Sequence, residues 1–400
     1  MILKIYCKFN ILLLKIHLES RKTNPLTAIK EITVFSIGDA NELSTWSNVP
    51  YFFTKNLEVK NIKVNRVNLE ENKTLRLIYK YSVFAFLKLL NKNSNHTYFR
   101  SGLNYFLTNC KIKKAIKEFN QSEILIFLTY SFCANKYHNK KVVLFGDWCY
   151  LYYISKFLKR EPMWFEKNAL AREKKHINYA DNVINLFPKS QEFNEKHFNS
   201  KKQFYLGHII NGNYELNHEE IISKKLNSRK LLFIGNKKYM VGALNLIKSF
   251  ENLNTNAELH IIGLTKQDVG IHLPGLFYYG YLNKGIILEN ELYYKLIIEA
   301  RVIVNTNPDW GSFSAITEAM YYQTPVITLP YPEFTKTYGT EINFGFYVNE
   351  NVTDDLTSKL TNILNDSKDE QLNKMKSAHN QVKNFSWSAY TNKVINLINE

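Results

Sequence analysis

The sequence predicts an α/β protein of two domains, each built around a parallel β-sheet. Short β-branched strand patterns alternate with helical patterns along nearly the whole chain, which is typical of βαβ units. A length of 400 residues is too great for one ordinary core and suits two domains. A Gly- and Asn-rich stretch without periodicity, around residues 206–213, separates the two patterns. We therefore expect the domain boundary there.

The first half contains the elements of one sheet and its helices. Ile32 to Gly38 is a β-branched run that ends in Gly, and the later strand patterns are similarly apolar and short. The expected strands are 32–38, 62–69, 124–130, 142–147 and 182–187. Apolar residues recur at helical spacing between them, so helices are expected at 49–60, 74–92, 98–119 and 161–180.

The second half repeats this alternation and predicts a second Rossmann-like sheet. The expected strands are 230–235, 258–263, 278–282, 302–307 and 325–330. The expected helices are 241–252, 289–300, 314–323, 353–365, 368–384 and 387–399.

Composition restricts the class of protein. The chain is 45% hydrophobic and 22% charged, which is in the range of soluble globular proteins. Its four cysteines form no Cys-x-x-Cys pair and are too few for a disulfide framework, so a cytoplasmic location is expected. Lysines interrupt the apolar run from Met1 to Leu18. We interpret residues 1–30 as an N-terminal extension, with an interfacial anchor as the alternative.

The net positive charge of the chain comes entirely from its first half. Residues 1–200 hold 32 basic and 16 acidic side chains, whereas residues 201–400 hold 20 of each. Codon usage in an AT-rich genome favours Lys, but it would affect both halves. The asymmetry indicates an anionic partner for the first half, such as a membrane surface, a diphosphate-linked lipid or nucleic acid. No helix-turn-helix, RRM or zinc pattern supports nucleic acid.

The stretch from Asn307 to Pro330 carries the clearest sign of ligand binding. A buried strand ends at Asn307, a loop contains Gly311 and Ser312, and a helix begins near Ser314. Such a strand, Gly loop and helix start present free backbone N–H groups to a phosphate or diphosphate. Glu318, about one turn into the helix, is placed to accept two ribose hydroxyls. The alternative is an ordinary helix with an exposed glutamate.

This stretch resembles the signature of retaining GT-B glycosyltransferases of family 4. The resemblance rests on Gly311, Thr-Glu-Ala-Met at 317–320 and Thr-Pro-Val-Ile at 324–327. Shorter matches are Ile-Ile-Asn-Gly at 209–212, Phe-Ile-Gly at 233–235, Phe-Ser-Trp at 385–387 and the pair Ala180-Asp181. It covers residues 180–400 well and the earlier part less.

The resemblance implies a GT-B architecture, two Rossmann-like domains that face each other across a cleft. Residues 31–212 would hold the acceptor and residues 213–384 a nucleotide-diphosphate sugar, with 385–400 crossing back to the first domain. The implied reaction retains the anomeric configuration and uses neither metal nor cofactor. In agreement, the sequence has no His-x-His, His-x-x-x-His or Asp-x-Asp pattern.

The implied donor residues depart from the family at several positions. The residues expected at the nucleotide sugar are Gly235, Lys237, Lys238, Gly311, Ser312, Phe313, Ser314 and Glu318. Trp310 stands where the family has its first glutamate, so the neighbouring Asp309 is the candidate replacement acid. Asn236 replaces a family arginine, and Lys237 and Lys238 are close enough to neutralise the diphosphate.

Two segments of the first half are candidates for the acceptor side. Ser44, Thr45, Trp46 and Ser47 lie in the loop after the first strand, where a surface turn is the alternative. Asp147 ends a buried strand, where it would orient an acceptor hydroxyl or act as a base. An N-cap for the following helix is the alternative for Asp147.

The expected function is sugar transfer onto a lipid-carried surface glycan, as in lipopolysaccharide, capsule or exopolysaccharide assembly. A GT-B protein that binds without transferring is one alternative, and a sugar-nucleotide epimerase is another. Helices 74–92 and 98–118 mix aromatic residues with lysines, which is compatible with peripheral docking on anionic lipid or with core packing. The docking contacts would be Lys80, Lys88, Lys92, Lys111, Lys113 and Lys114.

Overall fold

The computed structural model describes residues 29–134, 139–200, 202–210, 216–253, 255–307, 313–349 and 353–400. Backbone contacts divide the chain into two units, Met1–Gly207 with Trp387–Glu400, and His208–Ser386. The boundaries expected at residues 212 and 384 lie within a few residues of these limits. The expected N-terminal extension falls almost entirely outside the described residues.

The first unit is built on a parallel sheet. Its strands, as far as the described residues show, are β1 (Glu31–Ser36), β2 (Lys63–Asn68), β3 (Ile124–Phe127), β4 (Lys141–Gly146), β5 (Asn182–Asn185) and β6 (Gln203–Tyr205). They lie in the order β2-β1-β3-β4-β5-β6, and every neighbouring pair is parallel. Phe35 and Phe127 are partners in the register of β1 and β3, and their rings stack at 4.3 Å. Such contacts make the centre of this sheet an apolar core.

Helices connect these strands, as parallel pairing requires. They are α1 (Val49–Val59), α2 (Lys73–Tyr79), α3 (Ala85–Leu90), α4 (Gly102–Glu118), α5 (Lys167–Tyr179) and α6 (Pro188–His197). The helix expected over 74–92 is divided, because a π-helical turn, Lys80–Phe84, separates α2 from α3.

The second unit repeats this plan. Within the described part of the chain its strands are β7 (Lys230–Ile234), β8 (Glu258–Ile262), β9 (Leu276–Gly280), β10 (Ala300–Asn305), β11 (Val326–Thr328) and β12 (Gly345–Tyr347). They are parallel, in the order β12-β11-β10-β7-β8-β9. The helices are α7 (His218–Leu226), α8 (Met240–Glu251), α9 (Ile287–Glu299), α10 (Ser314–Tyr321), α11 (Pro332–Tyr338), α12 (Thr353–Asn365) and α13 (Lys368–Val382). The predicted class, two Rossmann-like α/β domains, is confirmed.

The last helix, α14 (Trp387–Asn399), is part of the first unit. Trp387 is fully buried, with its ring centroid 6.1 Å from that of Phe53 on α1. Tyr390 stacks against Phe145 of β4 at 5.9 Å. Side chains from the end of the chain therefore complete the core of the first sheet.

Parallel pairing places the carboxyl ends of the strands at one edge of each sheet. In the first unit, Ile37, Leu128 and Asp147 follow the strands at this edge. In the second unit, Gly235 and Gly263 follow β7 and β8. Ligands of open α/β sheets bind outside this edge, so these loops define where the functional residues must lie.

Gly263 is required where β8 leaves the second sheet. Its φ is +97°, and a Cβ there would lie 2.5 Å from the carbonyl oxygen of Gly235. We expect Gly263→Ala to lower the free energy of unfolding by at least about 2 kcal/mol, because it combines a strained φ with a backbone clash. Urea unfolding measures the change. Gly102→Ala is the matched control, since its Cβ would meet no atom within 4 Å. Equal stability of the two variants would contradict the prediction.

Candidate functional site

The donor side predicted from the sequence begins at the turn after β7. The N–H of Gly235 donates to the carbonyl of Ile262 at 3.0 Å. A Cβ on Gly235 would lie 2.9 Å from Cβ of Tyr239, so the turn is closed too tightly for a side chain. The Asn236 side chain then accepts from the N–H of Lys238 at 3.0 Å, at the start of the turn that leads into α8. A helix N-terminus thus follows β7 directly.

Lys237 in this turn forms a surface ion pair. Its Nζ lies 2.7 Å from Asp268, and its side chain is 75% exposed. The hydrogen bond from Lys237, followed by those from Thr265, lowers the pKa of Asp268 to about 2. A diphosphate would have to compete with Asp268 for this lysine. The predicted diphosphate roles of Lys237 and Lys238 stay predictions.

Glu318 is the centre of a buried polar cluster. It lies in the second turn of α10 and is 4% exposed, so the alternative of an exposed surface glutamate is wrong. Lys284 donates to both carboxylate oxygens, at 2.6 and 2.8 Å. The hydroxyl of Tyr293 donates to Oε2 at 2.9 Å, and that of Tyr294 donates to Oε1 at 3.0 Å. Burial, with the neighbouring carboxylate, raises the pKa of both tyrosines.

These four hydrogen bonds restrict what Glu318 can bind. A carboxylate offers about four lone-pair positions, and Lys284, Tyr293 and Tyr294 together use that number. Lys284 lies in the loop after β9, and its Nζ is 4.2 Å from the centre of the Tyr293 ring. Two ribose hydroxyls would therefore have to replace existing donors. The ribose role of Glu318 stays a prediction, with this condition added.

The remaining donor residues divide into two groups. Phe313 is 1% exposed and packs against His208 and Phe334, with ring centroids at 4.5 and 5.3 Å. Only its backbone is available to a ligand, whereas Ser314 begins α10 and is exposed. Four predicted residues lie outside the described part of the chain, so their roles are unchanged predictions: Asp309, Trp310, Gly311 and Ser312.

A cavity of about 280 Å³ lies at the carboxyl edge of the first sheet. Its walls come from the loops after β1, β3 and β4, from the start of α1, from the turn before α4 and from α5. The lining residues are Ile37, Trp46, Pro50, Arg100, Leu128, Thr129, Tyr130, Ser131, Gly146, Asp147, Trp148 and Glu173. Aromatic faces, two carboxylates and a guanidinium are thus gathered in one concave site, which suits a polar ligand with apolar faces.

The acceptor loop predicted from the sequence contributes Trp46 to this cavity. Trp46, Ser47 and Asn48 are consecutive residues with positive φ, at 36°, 54° and 70°. Non-glycine residues adopt such angles at a cost, so surrounding contacts must hold the loop. One of these contacts is the Thr45 hydroxyl, which donates to the carbonyl of Asp39 at 2.6 Å. Ser44 and Ser47 are exposed and do not line the cavity.

Asp147 lies on the cavity wall directly after β4. Its Oδ1 accepts from the N–H of Trp148 at 2.7 Å. The N-cap of the helical turn that follows is Cys149, whose sulfur accepts from the N–H of Tyr152 at 3.4 Å. The N-cap alternative for Asp147 is therefore wrong, and its role toward an acceptor hydroxyl stays a prediction.

Glu173 on α5 is a cavity residue that the sequence interpretation missed. It is 5% exposed and accepts from the N–H of Tyr150 at 2.5 Å and from the Ser131 hydroxyl at 3.3 Å. Burial, with a smaller contribution from Asp147, raises its pKa to about 7. Arg100 lines the same cavity, and its buried Nε has no hydrogen-bond partner among the described residues. Ala169, Glu173 and Ile177 share one face of α5 at four-residue spacing, which was the readable signal.

The described residues hold no group of three or more His, Cys, Asp or Glu side chains placed to bind a metal ion. The predictions of no metal and no cofactor stay predictions.

Neither a family model nor a curated protein matches the sequence. Solved structures do match the fold. A point mutant of S. aureus TarM, in complex with fondaparinux, alpha-GlcNAc-glycerol and UDP, matches with TM-score 0.54 and 13% identity; the match covers 73% of this chain and only 59% of that chain. WaaG, a glycosyltransferase involved in lipopolysaccharide biosynthesis, matches with TM-score 0.61 and 12% identity, over 92% of this chain and 99% of that one.

Anabaena HepE in complex with UDP and glucose matches with TM-score 0.59 and 13% identity, over 92% of this chain and 98% of that one. The fold is GT-B. This confirms the architecture that the motifs after Asn307 implied. In GT-B terms, the Glu318 cluster lies on the C-terminal unit and the 280 Å³ cavity on the N-terminal unit.

The raised pKa of Glu173 predicts a pH-dependent cost to stability. Between about pH 4.5 and 7 the folded protein holds a proton that the unfolded chain has released, so stability falls as pH rises through this window. Glu173→Gln removes this dependence. In urea unfolding, the variant should match the wild type near pH 5 and exceed it by about 3 kcal/mol near pH 8. Glu118→Gln, at an exposed position on α4, is the control. A difference that does not grow with pH would contradict the assignment.

The Glu318–Lys284 pair predicts strong energetic coupling. Glu318→Gln and Lys284→Met should each cost about 3 kcal/mol of stability, since each leaves one partner charged and poorly compensated. The double variant should cost clearly less than both single costs together. A double-mutant cycle on the exposed pair Lys224–Glu220, at 2.7 Å, provides the comparison and should show coupling below about 1 kcal/mol. Equal coupling in the two cycles would show that Glu318 is not a buried anchor.

Proposed function

We propose that the protein is a glycosyltransferase that moves a sugar from a nucleotide-diphosphate sugar to a glycan or lipid-linked acceptor in bacterial surface polysaccharide biosynthesis. The observation that carries this proposal is the GT-B fold with a candidate binding site on each unit. These sites are the Glu318 cluster on the second unit and the 280 Å³ cavity on the first. Three fold neighbours support it: TarM is solved in a complex that contains UDP, HepE is solved in complex with UDP-glucose, and WaaG is a glycosyltransferase involved in lipopolysaccharide biosynthesis.

The proposed donor site is the carboxyl edge of the second sheet. The nucleotide ribose takes the place of Lys284 at the Glu318 oxygens, and the released ammonium then pairs with the diphosphate. Two features support this exchange. Lys284 lies in a loop after β9, and its side chain keeps 18% exposure while that of Glu318 keeps 5%. Lys237, Lys238 and the N-terminal end of α8 add positive charge at the same edge.

The proposed acceptor site is the cavity of the first unit. The rings of Trp46 and Trp148 offer faces to a sugar ring, and Asp147 orients or deprotonates the attacking hydroxyl. The bond from the anomeric carbon to the diphosphate oxygen breaks and a bond to the acceptor oxygen forms. The nucleoside diphosphate leaves. Cations and helix ends stabilise its charge, so the proposed reaction needs no metal, and by the family resemblance it retains the anomeric configuration.

We also propose that the protein acts at the cytoplasmic membrane surface. The net charge of +16 on residues 1–200 supports a peripheral contact with anionic lipid, and a lipid-linked acceptor would be reached there.

A GT-B protein that binds nucleotide without transferring sugar is the second candidate. Trp310 at the family's first glutamate position favours it, because the acid that would hold the donor sugar is missing. An assay that measures both sugar transfer and nucleotide binding distinguishes the two candidates.

A donor panel tests the proposal. UDP- and GDP-sugars are supplied with and without acceptor lipid extract, and release of the nucleotide is measured. Release that depends on the acceptor is expected with one donor. Asp309→Asn should abolish transfer and leave nucleotide affinity nearly intact, since Asp309 is proposed to hold the sugar and not the nucleotide.

Calorimetric titration of UDP and GDP completes the assay. Glu318→Ala should weaken nucleotide binding roughly 10- to 100-fold, as expected for lost charge-assisted hydrogen bonds. Glu291→Ala, at an exposed position on α9, is the matched control. Nucleotide binding without release for any donor would reject transfer and support the binding protein. No binding of either nucleotide would reject both candidates.

A further inference from the structure

The segment from α2 through α3 presents an unusually apolar outer surface. Over residues 73–90 only Leu87 is buried. The less exposed apolar side chains are Leu75, Tyr79, Phe84 and Leu87, at steps of four, five and three residues. The five-residue step spans the π-helical turn Lys80–Phe84, and such a turn is what keeps this stripe on one side of the segment. Tyr79 anchors the stripe, with its ring centroid 5.7 Å from that of Tyr98.

The rest of this segment carries large apolar side chains in solvent. Their exposed fractions run from 45% to 85%. We call this set the apolar ridge: Leu77, Ile78, Tyr81, Val83, Phe86, Leu89 and Leu90. Single exposed apolar residues are ordinary on a protein surface, but seven within fourteen residues are not. Such a surface indicates a partner with an apolar phase.

Most of the charge along this segment is positive, and Glu71 at its start pairs with Arg76 at 3.6 Å. Residues 72–117 contain ten lysines and arginines and no acidic residue. Lys80 and Lys88 lie within the segment, with their Nζ atoms 5.2 and 5.5 Å from the ring centres of Tyr81 and Phe84. Lysine stems can cover apolar surface while their ammonium groups extend outward. The segment that carries the ridge therefore also carries cationic side chains that can bind anions.

We propose that the apolar ridge inserts into the surface of an anionic lipid bilayer. A lipid interface offers both an apolar phase and anionic headgroups, which together complement the ridge and its lysines. A second copy of this chain on the ridge would instead bring two lysine-rich surfaces together. In the part of the chain that the structure describes, no helix has the length and apolar character to span a bilayer, so the ridge lies in the interface. This inference deepens the proposed peripheral location and does not depend on sugar transfer.

Two components of binding follow from this geometry. The lysines attract the protein from solution, each contributing about fivefold in affinity at low salt. That attraction is screened as the Debye length falls to about 3 Å at 1 M salt. Insertion of the ridge is apolar and persists at high salt. Charge alone would give complete release by salt, so salt resistance separates the two modes.

Co-sedimentation of the full-length protein with vesicles tests the proposal. The vesicles contain phosphatidylcholine alone or with about 30% phosphatidylglycerol, in about 0.1 M or 1 M salt. We expect at least about tenfold tighter binding to the anionic vesicles at 0.1 M, and binding that remains measurable at 1 M. Tyr81→Ser/Phe86→Ser/Leu89→Ser should reduce binding at least about tenfold at both salt concentrations. Lys80→Gln/Lys88→Gln should reduce it at 0.1 M and leave binding at 1 M unchanged.

The second unit offers a matched control. Tyr281, Ile287 and Leu288 are 74–77% exposed, and Glu289 lies beside them in sequence. Tyr281→Ser/Ile287→Ser/Leu288→Ser should bind vesicles like the wild type. Thermal unfolding of each variant confirms that these surface changes leave the fold intact.

The proposal would be overturned by no binding to anionic vesicles at 0.1 M, equal binding to neutral vesicles, complete release at 1 M salt, wild-type binding by the ridge variant, or equal loss in the control. Salt-resistant binding by the ridge variant would assign insertion to another segment. Because the calorimetric titration of nucleotides is done without lipid, failure of the proposed donor site and failure of lipid binding are distinguishable.

Discussion

The parallel pairing of the strands is the constraint on which this structure depends. It forces each connection to return over a sheet face and leaves polar groups at the two edges. At the amino edge of the first sheet, Glu31 accepts from Lys63, Asn65 and Ser122, so that edge is closed by internal hydrogen bonds. At the carboxyl edge the loops instead enclose the 280 Å³ cavity, where the Arg100 Nε has no hydrogen-bond partner in the described chain. The amino edge of the first sheet thus stabilises the fold, whereas the carboxyl edge has room for a ligand.

Two buried carboxyl groups show two different ways in which such an edge accommodates an acidic side chain. Glu318 is compensated by a lysine and two phenols, which keeps a full charge inside the protein by direct pairing. Glu173 accepts from one backbone N–H and one hydroxyl, and burial raises its pKa to about 7. A paired carboxylate can change ligands only by exchange of partners. A carboxyl group that titrates near neutrality can instead act as a hydrogen-bond donor or acceptor as conditions change.

Elements with strong periodicity were predictable from sequence, and contacts between distant residues were not. The bounds of α12 and α14 coincide with the expected ones, because long amphipathic patterns identify helices well. The three-residue strands β6 and β12 contain no β-branched residue and were missed, whereas the equally short β11, Val-Ile-Thr, lies in an apolar run and was predicted. The π turn at Lys80–Phe84 was missed because it shifts the helical period by one residue. Glu318 was recognised from its motif. Its partner Lys284 comes from a loop 34 positions earlier, and no local signal connects the two.

The position of α14 has a consequence for folding during translation. Trp387 and Tyr390 fill the core behind Phe53 and Phe145, so the first unit lacks part of its interior until residues 387–390 have been synthesised. The second unit, His208–Ser386, is complete before that point. During translation the first unit therefore keeps apolar surface exposed, whereas the second unit can already fold. This order is the reverse of the usual N-to-C order of domain folding. Chaperones therefore have the longest time to bind the first half of this chain while it is being synthesised.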